Sequence, residues 1–250
     1  KVNPEDIISI SRKVHGTSSI VSHTKVLRKL SLIEKISKFL GVKVDTTEYD
    51  YLYASRTVIK NDSTNGGFYG VDLWSDIGKK EFLGKLNKNE SVYYEIVGYI
   101  PNTDKFIQKN YDYGCKKGEY KIAVYRITST NDEGKVVEYS WQAVKERCKE
   151  MNVPMVEEFY VGKAKDLFPE LSTTEHWHEN FLENLKKTYL EKDCWDNLCK
   201  KVPDEGVVIR LDRKDIEVYK LKSENFLVGE SKAKEDENNV DLEEQEQAQA

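Results

Sequence analysis

The amino-acid sequence predicts an α+β fold in which antiparallel strands form two packed sheets with helices outside them. Two kinds of segment lead to this prediction. Strand-like segments alternate apolar and polar residues or are rich in β-branched and aromatic residues, at positions 7–12, 49–59, 91–100, 120–127, 205–211 and 216–221. Helix-like segments repeat apolar residues at helical spacing, within positions 27–40 and 140–193. Because 250 residues can bury one substantial core, we expect one domain over residues 1–229.

The charge of the chain is unevenly distributed. The formal net charge is −5, yet residues 230–250 carry eight acidic side chains against two lysines. The rest of the chain is therefore nearly neutral and can still hold a local basic groove, so net charge neither supports nor excludes nucleic-acid binding. The acidic tail, residues 230–250, is polar and rich in Gln and Ala, and we expect it to be disordered or weakly helical.

Composition also limits the cellular compartments in which we expect this protein. No apolar run approaches the length of a membrane span, and the first residues do not resemble a signal peptide. Four cysteines in a chain of this length do not make a disulfide framework, so we expect reduced thiols. These features favour a cytoplasmic monomer with no membrane partner.

The first predicted strand, residues 7–12, leads into a loop with the sequence Lys-Val-His-Gly-Thr-Ser at positions 13–18. A lysine amine that attacks phosphorus must be neutral, whereas a free lysine has a pKa of about 10.4, so it needs burial or cationic neighbours. Arg12, directly before Lys13, is a fixed cation that would favour the neutral amine. Gly16 allows the backbone to turn closely around a phosphate-bearing ligand.

The next elements are an amphipathic helix and two strands. Apolar residues at helical spacing predict the helix over residues 27–40, with Gly41 as its stop. The strand at 49–59 carries Ser55 and Arg56, and residues 61–70 are predicted to form a loop or turn. In the strand at 91–100 Glu95 is the only charged residue, and a buried carboxylate there should be paired or hydrogen-bonded.

Residues 105–121 interleave four aromatic residues with five lysines, a pattern that suits stacking on RNA bases and contact with an RNA backbone. Residues 140–200 read as a helical insertion between the central and terminal strands, with Thr173 and Thr174 as helix-cap candidates. Two histidines and two cysteines of this region could complete a tetrahedral zinc site, although their spacing fits no familiar zinc motif: His176, His178, Cys194 and Cys199.

The last two predicted strands, residues 205–211 and 216–221, bring an acid and two cations toward one place. Glu205 precedes Gly206, where a ligand or another backbone can approach closely. Lys220 and Lys222 are two residues apart and therefore share one strand face, a spacing that can grip one phosphate group.

These motifs occur in a fixed order: the Lys13 loop, Ser55-Arg56, residues 94–98 (Tyr-Glu-Ile-Val-Gly), residues 205–210 (Glu-Gly-Val-Val-Ile-Arg) and Lys220-Leu221-Lys222. In this order they resemble the covalent nucleotidyltransferase superfamily of ATP-dependent DNA ligases, RNA ligases and mRNA capping enzymes. The Lys13 loop is most similar to the RNA ligase 2-like branch. The resemblance covers about residues 7–226 and implies a ligase adenylation domain, in which antiparallel sheets enclose the nucleotide.

The resemblance implies catalytic roles for three lysines and one acid. Lys13 would attack the α-phosphate of ATP and carry the AMP. Lys220 and Lys222 would supply fixed positive charge, with Lys220 also a candidate for favouring the neutral form of Lys13. Glu205 would hold Mg²⁺, directly or through water.

Other residues would hold the nucleotide. The resemblance implies this role for His15 and Gly16 in the lysine loop, and it places Glu95 at the ribose hydroxyls or in support of the metal and lysine. Arg56 would hold a phosphate or the nucleic-acid end. Tyr125 would stack on the base, with Tyr120 as the alternative, and Arg126 stands where relatives often carry an acid.

The function implied is an ATP-dependent RNA ligase that acts on a nicked duplex or a broken single strand. The enzymatic alternatives are an ATP-dependent DNA ligase and an mRNA capping guanylyltransferase, which would use GTP. Members of both groups usually carry an oligonucleotide-binding barrel, and nothing after Lys222 resembles one. The non-enzymatic alternative is an inactive homologue that binds nucleic acid but forms no lysyl-nucleotide.

Overall fold

The computed structural model describes residues 1–60, 72–171, 175–190 and 202–235. The predicted loop at 61–70, the helix-cap candidates Thr173 and Thr174, the two zinc-ligand candidates Cys194 and Cys199, and the tail beyond residue 235 lie outside these ranges. Within them the chain forms nine strands and six α-helices.

The strands form two antiparallel sheets. One sheet contains β1 (Ile7–Lys13), β7 (Glu158–Lys163), β8 (Gly206–Leu211) and β9 (Glu217–Lys222). The other contains β2 (Thr17–Leu27), β3 (Thr47–Ser55), β4 (Glu90–Gly98), β5 (Tyr120–Thr130) and β6 (Val136–Glu138). The strand orders are β7-β1-β8-β9 and β3-β2-β4-β5-β6. The prediction of antiparallel sheets in a mixed α and β fold is therefore confirmed.

The helices are α1 (Leu32–Phe39), α2 (Leu73–Phe82), α3 (Trp141–Met151), α4 (Ala164–Leu167), α5 (Trp177–Tyr189) and α6 (Glu224–Glu235), and a short 3-10 helix spans Pro169–Leu171. Serine side chains cap two of them: Ser31 begins α1 with a capping box, and the Ser140 side chain accepts from the Ala143 amide at the start of α3. None of the described residues forms a helix long and apolar enough to cross a membrane.

Each sheet buries one apolar face under helices. Alternate residues of β4, such as Tyr94 and Ile96, pack with Phe82 of α2 and Val144 of α3. The first sheet has its own core, where strand residues such as Ile8, Ile10 and Ile209 pack with Phe181 and Leu185 of α5. Since side chains alternate along a strand, Ser9, Ser11 and Lys13 project from the opposite face of β1.

The sequence region 140–200 is not a separate helical insertion in the part that the structure describes. The helical spacing is confirmed for α3 and α5, but β7 lies between them and pairs with β1, with Ser9 opposite Val161. Both helices belong to the cores of the sheets. Helical periodicity was visible in the sequence, whereas a six-residue edge strand produced no comparable signal.

The predicted helix at 27–40 is shorter than expected, because β2 continues to Leu27 and stays paired with β3. The helix begins only at Leu32, and none of its residues is buried.

The two sheets are joined by residues 14–16 between β1 and β2. Arg210 of β8 adds a further link, since its Nη1 donates to Glu138 of β6 at 2.7 Å.

Candidate active site

Lys13 lies at the end of β1, where three strands of the first sheet are in register. Lys13 pairs with Gly206 of β8, and Gly206 pairs with Lys222 of β9. The Lys13 Nζ donates a hydrogen bond to Oε1 of Glu205, the residue just before β8. The Glu205 side chain is only 5% exposed and that of Lys13 is 18% exposed. The structure thus brings together the candidate nucleophile and the candidate acid.

Gly206 makes this arrangement possible. Its φ is 143°, and an added Cβ would lie 1.9 Å from the Leu221 carbonyl oxygen, so another residue would collide with the neighbouring strand. Directly before it, the Glu205 carbonyl accepts from the Ser223 amide at 2.9 Å. The close approach inferred from the sequence is therefore made by another backbone, that of β9.

Two further basic groups lie near the Glu205 carboxylate. The Lys222 Nζ is 3.9 Å from Glu205 Oε1, and the His15 Nδ1 is 3.9 Å from Glu205 Oε2. Lys222 also contacts α6: its Nζ is 3.1 and 3.2 Å from the two carboxylate oxygens of Glu230, and it lies 5.1 Å from the centroid of the Phe226 ring. Three basic side chains therefore lie within 4 Å of the Glu205 carboxylate, and one of them, Lys222, also contacts a second carboxylate, Glu230.

The lysine loop is supported by the segment between β4 and β5. The His15 amide donates to the Tyr113 hydroxyl at 2.8 Å, and Gln108 Nε2 donates to the Gly16 carbonyl at 2.9 Å. The His15 ring makes edge-to-face contacts with Tyr111 and with Phe226, at centroid distances of 4.8 and 5.0 Å.

Burial changes the interpretation of the aromatic residues at 105–121. Tyr111 and Tyr113 are buried and form a small core with Val97 and Phe226. The Tyr111 hydroxyl donates to the Pro203 carbonyl at 2.8 Å, which ties this segment to the residues before Glu205. The expectation that these two rings stack on RNA is wrong, because they are covered by the protein itself.

Gly16 is required by the packing of the loop against β4. A Cβ at this position would lie 2.2 Å from the Ile96 carbonyl oxygen and 2.9 Å from Cγ of Glu95. Glycine is therefore needed here because the backbone of the lysine loop packs directly against β4 of the second sheet. This packing places the loop directly beside Glu95, and contact of Gly16 with a nucleotide stays a prediction.

Arg12 does not act as an unpaired cation beside Lys13. Its side chain projects from the opposite face of β1 and is 5% exposed. Its guanidinium pairs with Glu157, at 2.7 and 2.9 Å, and with Asp204. Since two carboxylates compensate its charge, the expectation that it favours the neutral form of Lys13 is wrong.

Glu95 and Tyr125 lie together on the second sheet. In the strand register Glu95 is opposite Ser18, and the Ser18 and Tyr125 side-chain oxygens are 2.9 Å apart. Tyr125 is the extra residue of a β-bulge in β5. Burial raises the pKa of its hydroxyl to about 12 and the Glu95 charge acts in the same direction, whereas the bond with Ser18 lowers it. Tyr125 is therefore a neutral phenol at physiological pH.

The alternative ring, Tyr120, lies elsewhere. Its hydroxyl donates to Glu81 of α2 at 2.7 Å, so it belongs to the helix-covered side of the sheet.

Lys220 is opposite Val208 in the register and its side chain is exposed, two residues from Lys222. Arg56 is exposed directly after β3. Lys13, His15 and Lys222 are within 4 Å of the Glu205 carboxylate, whereas Lys220 and Arg56 are exposed.

The donor set fits a metal held jointly with a nucleotide. No cluster of three or more His, Cys, Asp or Glu side chains that could hold a metal ion occurs in the described part of the chain. Mg²⁺ usually takes one or two protein carboxylates together with substrate phosphates and water, and Glu205 provides such a carboxylate. As for zinc, His178 Nδ1 accepts from the Val2 amide at 3.1 Å, and both cysteines lie outside the described residues.

Sequence reasoning missed four residues that shape this site. They support the lysine loop or contact Lys222, and they are Gln108, Tyr113, Phe226 and Glu230. None lies in a short motif. The aromatic composition of residues 105–121 was noticed, but burial, which decides its role, depends on long-range packing.

Comparison with known proteins supports the fold. No family model and no curated protein matches the sequence. A mutant of the RNA ligase of Naegleria gruberi, solved with ATP and Mn, aligns with a TM-score of 0.56 and 14% identity over 91% of this chain and 52% of that one. The same ligase with PPi gives a TM-score of 0.52 and 13% identity over 91% and 52%. A putative ATP-dependent DNA ligase from Aquifex aeolicus gives a TM-score of 0.45 and 17% identity over 89% and 45%.

This chain spans about half the length of the Naegleria ligase. At 13–14% identity the likeness concerns the fold, and it extends over nine-tenths of the chain. The ordered motifs and the two antiparallel sheets agree with it. The chain therefore shares the fold of this part of the Naegleria gruberi RNA ligase.

Proposed function

We propose that this chain is the nucleotidyltransferase part of an ATP-dependent RNA ligase that joins 5′-phosphate and 3′-hydroxyl RNA ends through lysyl-AMP and adenylylated RNA. The observation that carries the proposal is the contact of the Lys13 Nζ with the buried Glu205 carboxylate, with Lys222 and His15 beside it. The RNA ligase with the same fold was solved with ATP in one structure and with PPi in another, which are the substrate and the leaving group of the proposed first step.

In the first step the Lys13 Nζ attacks the α-phosphorus of ATP. A P–N bond forms, the P–O bond to the β-phosphate breaks, and pyrophosphate leaves with its electron pair. The attacking amine must be neutral, so a protonated Lys13 gives up one proton before the attack. Glu205 Oε1 is the acceptor in contact with Nζ. A second proton leaves the nitrogen as the phosphoramidate forms, and it passes to solvent.

Negative charge gathers on the phosphate oxygens during this transfer, and fixed cations stabilise it. Lys222 is placed for this role, since it lies one strand from Gly206 and 3.9 Å from the Glu205 carboxylate. Lys220 extends the positive charge along the exposed face of β9. Mg²⁺ held with the phosphates at Glu205 would reduce the charge repulsion against attack.

The second sheet would hold the nucleoside. Tyr125 offers a neutral aromatic ring for stacking, and the Glu95 carboxylate can accept hydrogen bonds from ribose hydroxyls. Gly16 packs against Glu95, so the base-binding and phosphate-binding groups are joined by a short rigid connection. In the later steps AMP would pass from Lys13 to the 5′-phosphate of RNA, and the neighbouring 3′-hydroxyl would displace it.

The test is covalent labelling. The protein is incubated with Mg²⁺ and α-labelled ATP or GTP and separated on a denaturing gel, with Lys13→Ala as the control. We expect label from ATP in the wild type and none in the variant. Label from GTP alone would support a capping guanylyltransferase, and RNA binding without label would support the inactive homologue.

The nucleic-acid substrate is tested next with nicked duplexes. The three substrates carry a 5′-phosphate at the nick and differ only in strand type: RNA, DNA, or an RNA:DNA hybrid. We expect sealing and an adenylylated intermediate where the broken strand is RNA. Sealing of the DNA nick alone would overturn the choice of RNA and leave the ligase proposal in place.

A further inference from the structure

Two consecutive residues of β1 pair with two consecutive residues that precede β8. Arg12 bonds to Asp204, and Lys13 bonds to Glu205. Because neighbouring side chains of a strand project to opposite faces, the two ion pairs lie on opposite sides of the first sheet. The Lys13–Glu205 pair belongs to the candidate site, whereas the Arg12–Asp204 pair belongs to the helix-covered side.

The Arg12–Asp204 pair is held rigidly. The Arg12 side chain is 5% exposed and that of Asp204 is 15% exposed. The other edge of the guanidinium pairs with Glu157, and the group lies 5.4 Å from the centroid of the Phe159 ring. The Arg12 amide also donates to the Glu157 carbonyl at 2.9 Å. A planar guanidinium held between two carboxylates has little freedom to move.

The backbone on each side of Glu205 is fixed as well. The Ser223 hydroxyl donates to the Asp204 carbonyl at 2.7 Å, and the Ser223 amide donates to the Glu205 carbonyl at 2.9 Å. Gly206 follows, in the conformation that only glycine adopts readily. The Asp204 side chain is thus a further point at which this dipeptide is anchored to β1, beside the Lys13–Glu205 contact.

We propose that Arg12 is a positioning residue, which aligns the Glu205 carboxylate with the Lys13 amine by anchoring Asp204. The proposal rests on the proposed function, because its effect is measured on lysyl-AMP formation. Arg12 projects from the face of β1 opposite to the Lys13 amine, and it acts through its bond to Asp204 and the peptide between Asp204 and Glu205. A displacement of about 1 Å at reacting groups can cost on the order of 100-fold in rate.

The test compares four single variants in single-turnover labelling with α-labelled ATP. Arg12→Lys keeps a cation but loses the planar fork, and Asp204→Asn breaks the same pair from the other side. Glu157→Gln weakens the other edge of the same guanidinium. Arg147→Lys is the control, because it makes the same substitution at an arginine away from the site. Arg147 also forms an ion pair, with the buried Glu90 under the second sheet.

We expect Arg12→Lys and Asp204→Asn to slow labelling on the order of 10- to 100-fold, with the ATP concentration for half-maximal rate little changed. Arg147→Lys should stay within about 3-fold of the wild type, as expected for a group outside the site. Glu157→Gln weakens one edge of the guanidinium and leaves the Asp204 bond, so its loss should lie between that of Arg147→Lys and that of Asp204→Asn. If Arg12→Lys fails to fold, which its melting temperature would show, Asp204→Asn carries the test.

The decisive measurement repeats Arg12→Lys and Asp204→Asn in a Glu205→Gln background. If Arg12 acts through Glu205, these substitutions cause little further loss once that carboxylate is gone. Equal losses in both backgrounds would overturn the proposal, because they indicate a general structural role. A wild type that forms no label would instead defeat the proposed function, so the two failures are distinguishable.

Discussion

Lys13 and Lys222 lie on either side of Gly206 in the register of β1, β8 and β9. Adjacent strands are about 4.8 Å apart, so the two lysine backbones are separated by roughly 10 Å, and the Glu205 carboxylate lies within 4 Å of both amines. In the proposed function the two lysines would form a cradle for phosphate groups on either side of this glycine. Because φ and the nearby Leu221 carbonyl both require glycine at this position, the cradle is built into the fold.

Gly206→Ala is expected to lower the free energy of unfolding by about 2–4 kcal/mol, from steric overlap with Leu221 and from strain at φ 143°. Urea denaturation measures the change. Gly229→Ala is the control, because nothing lies within 4 Å of its added Cβ and alanine is favoured in a helix. A Gly206→Ala protein as stable as the wild type would show that the close approach is not real.

Glu205→Gln is expected to slow lysyl-AMP formation by about 10²–10⁴-fold, because the amide keeps the shape of the side chain but cannot take a proton from Lys13. The measurement is single-turnover labelling with α-labelled ATP. Glu158→Gln is the control, since Glu158 also pairs with a lysine, Lys145 at 2.9 Å, away from the site. Equal rates for the two variants would remove Glu205 from the chemistry.

Much of the site was predictable from the sequence, because each of its main residues lies in a motif within or beside a single strand. Lys13, Glu205 and Lys222 each stand at a strand end beside a recognisable motif, and the structure brings them to one place. Strand periodicity also placed Lys220 and Lys222 on one face correctly. These features depend on local spacing, which the chain displays directly.

The parts that could not be predicted depend on contacts between distant residues. Arg12 was expected beside the amine, but its carboxylate partners Glu157 and Asp204 are 145 and 192 residues away. The same holds for β7, whose six residues become an edge strand only because β1 is available to pair with it. Side-chain burial at Tyr111 likewise follows from packing rather than from composition.

The two lysines of β9 should differ in importance. Lys222→Ala is expected to slow labelling about 10- to 100-fold, the loss of one charge-assisted hydrogen bond worth about 1.5–3 kcal/mol. Lys220→Ala should cost less than 10-fold, because its side chain is exposed and two residues farther along the strand. Labelling at several ATP concentrations separates an effect on ATP binding from an effect on the maximal labelling rate. A larger loss for Lys220→Ala would assign the main phosphate contact to Lys220 instead.

Tyr125→Ala is expected to raise the ATP concentration for half-maximal labelling about 10- to 100-fold, since stacking of a base on an aromatic ring is worth about 1–3 kcal/mol. Tyr125→Phe keeps the ring and loses only the contact with Ser18, so it should remain close to the wild type. Tyr120→Ala tests the other ring, which bonds to α2. A change in ATP dependence for Tyr120→Ala and none for Tyr125→Ala would reverse the assignment.

If Lys222 binds phosphate as proposed, Glu230 of α6 competes with the phosphate for it. Its two carboxylate oxygens lie 3.1 and 3.2 Å from the Lys222 Nζ, so Lys222 must exchange this partner for a phosphate when a nucleotide binds. Pairs this close to the surface contribute about 0.2–1 kcal/mol. Glu230→Gln is therefore expected to lower the ATP concentration for half-maximal labelling by up to about 5-fold.

Glu224→Gln provides the matched control for that substitution. It removes one acid from the same helix at an exposed position, so it changes the net charge equally and leaves the Lys222 pair intact. An equal gain in both variants would indicate a general electrostatic effect on an anionic ligand. If Glu230→Gln alone raised the ATP concentration for half-maximal labelling, Glu230 would orient Lys222 for phosphate binding instead of competing with it.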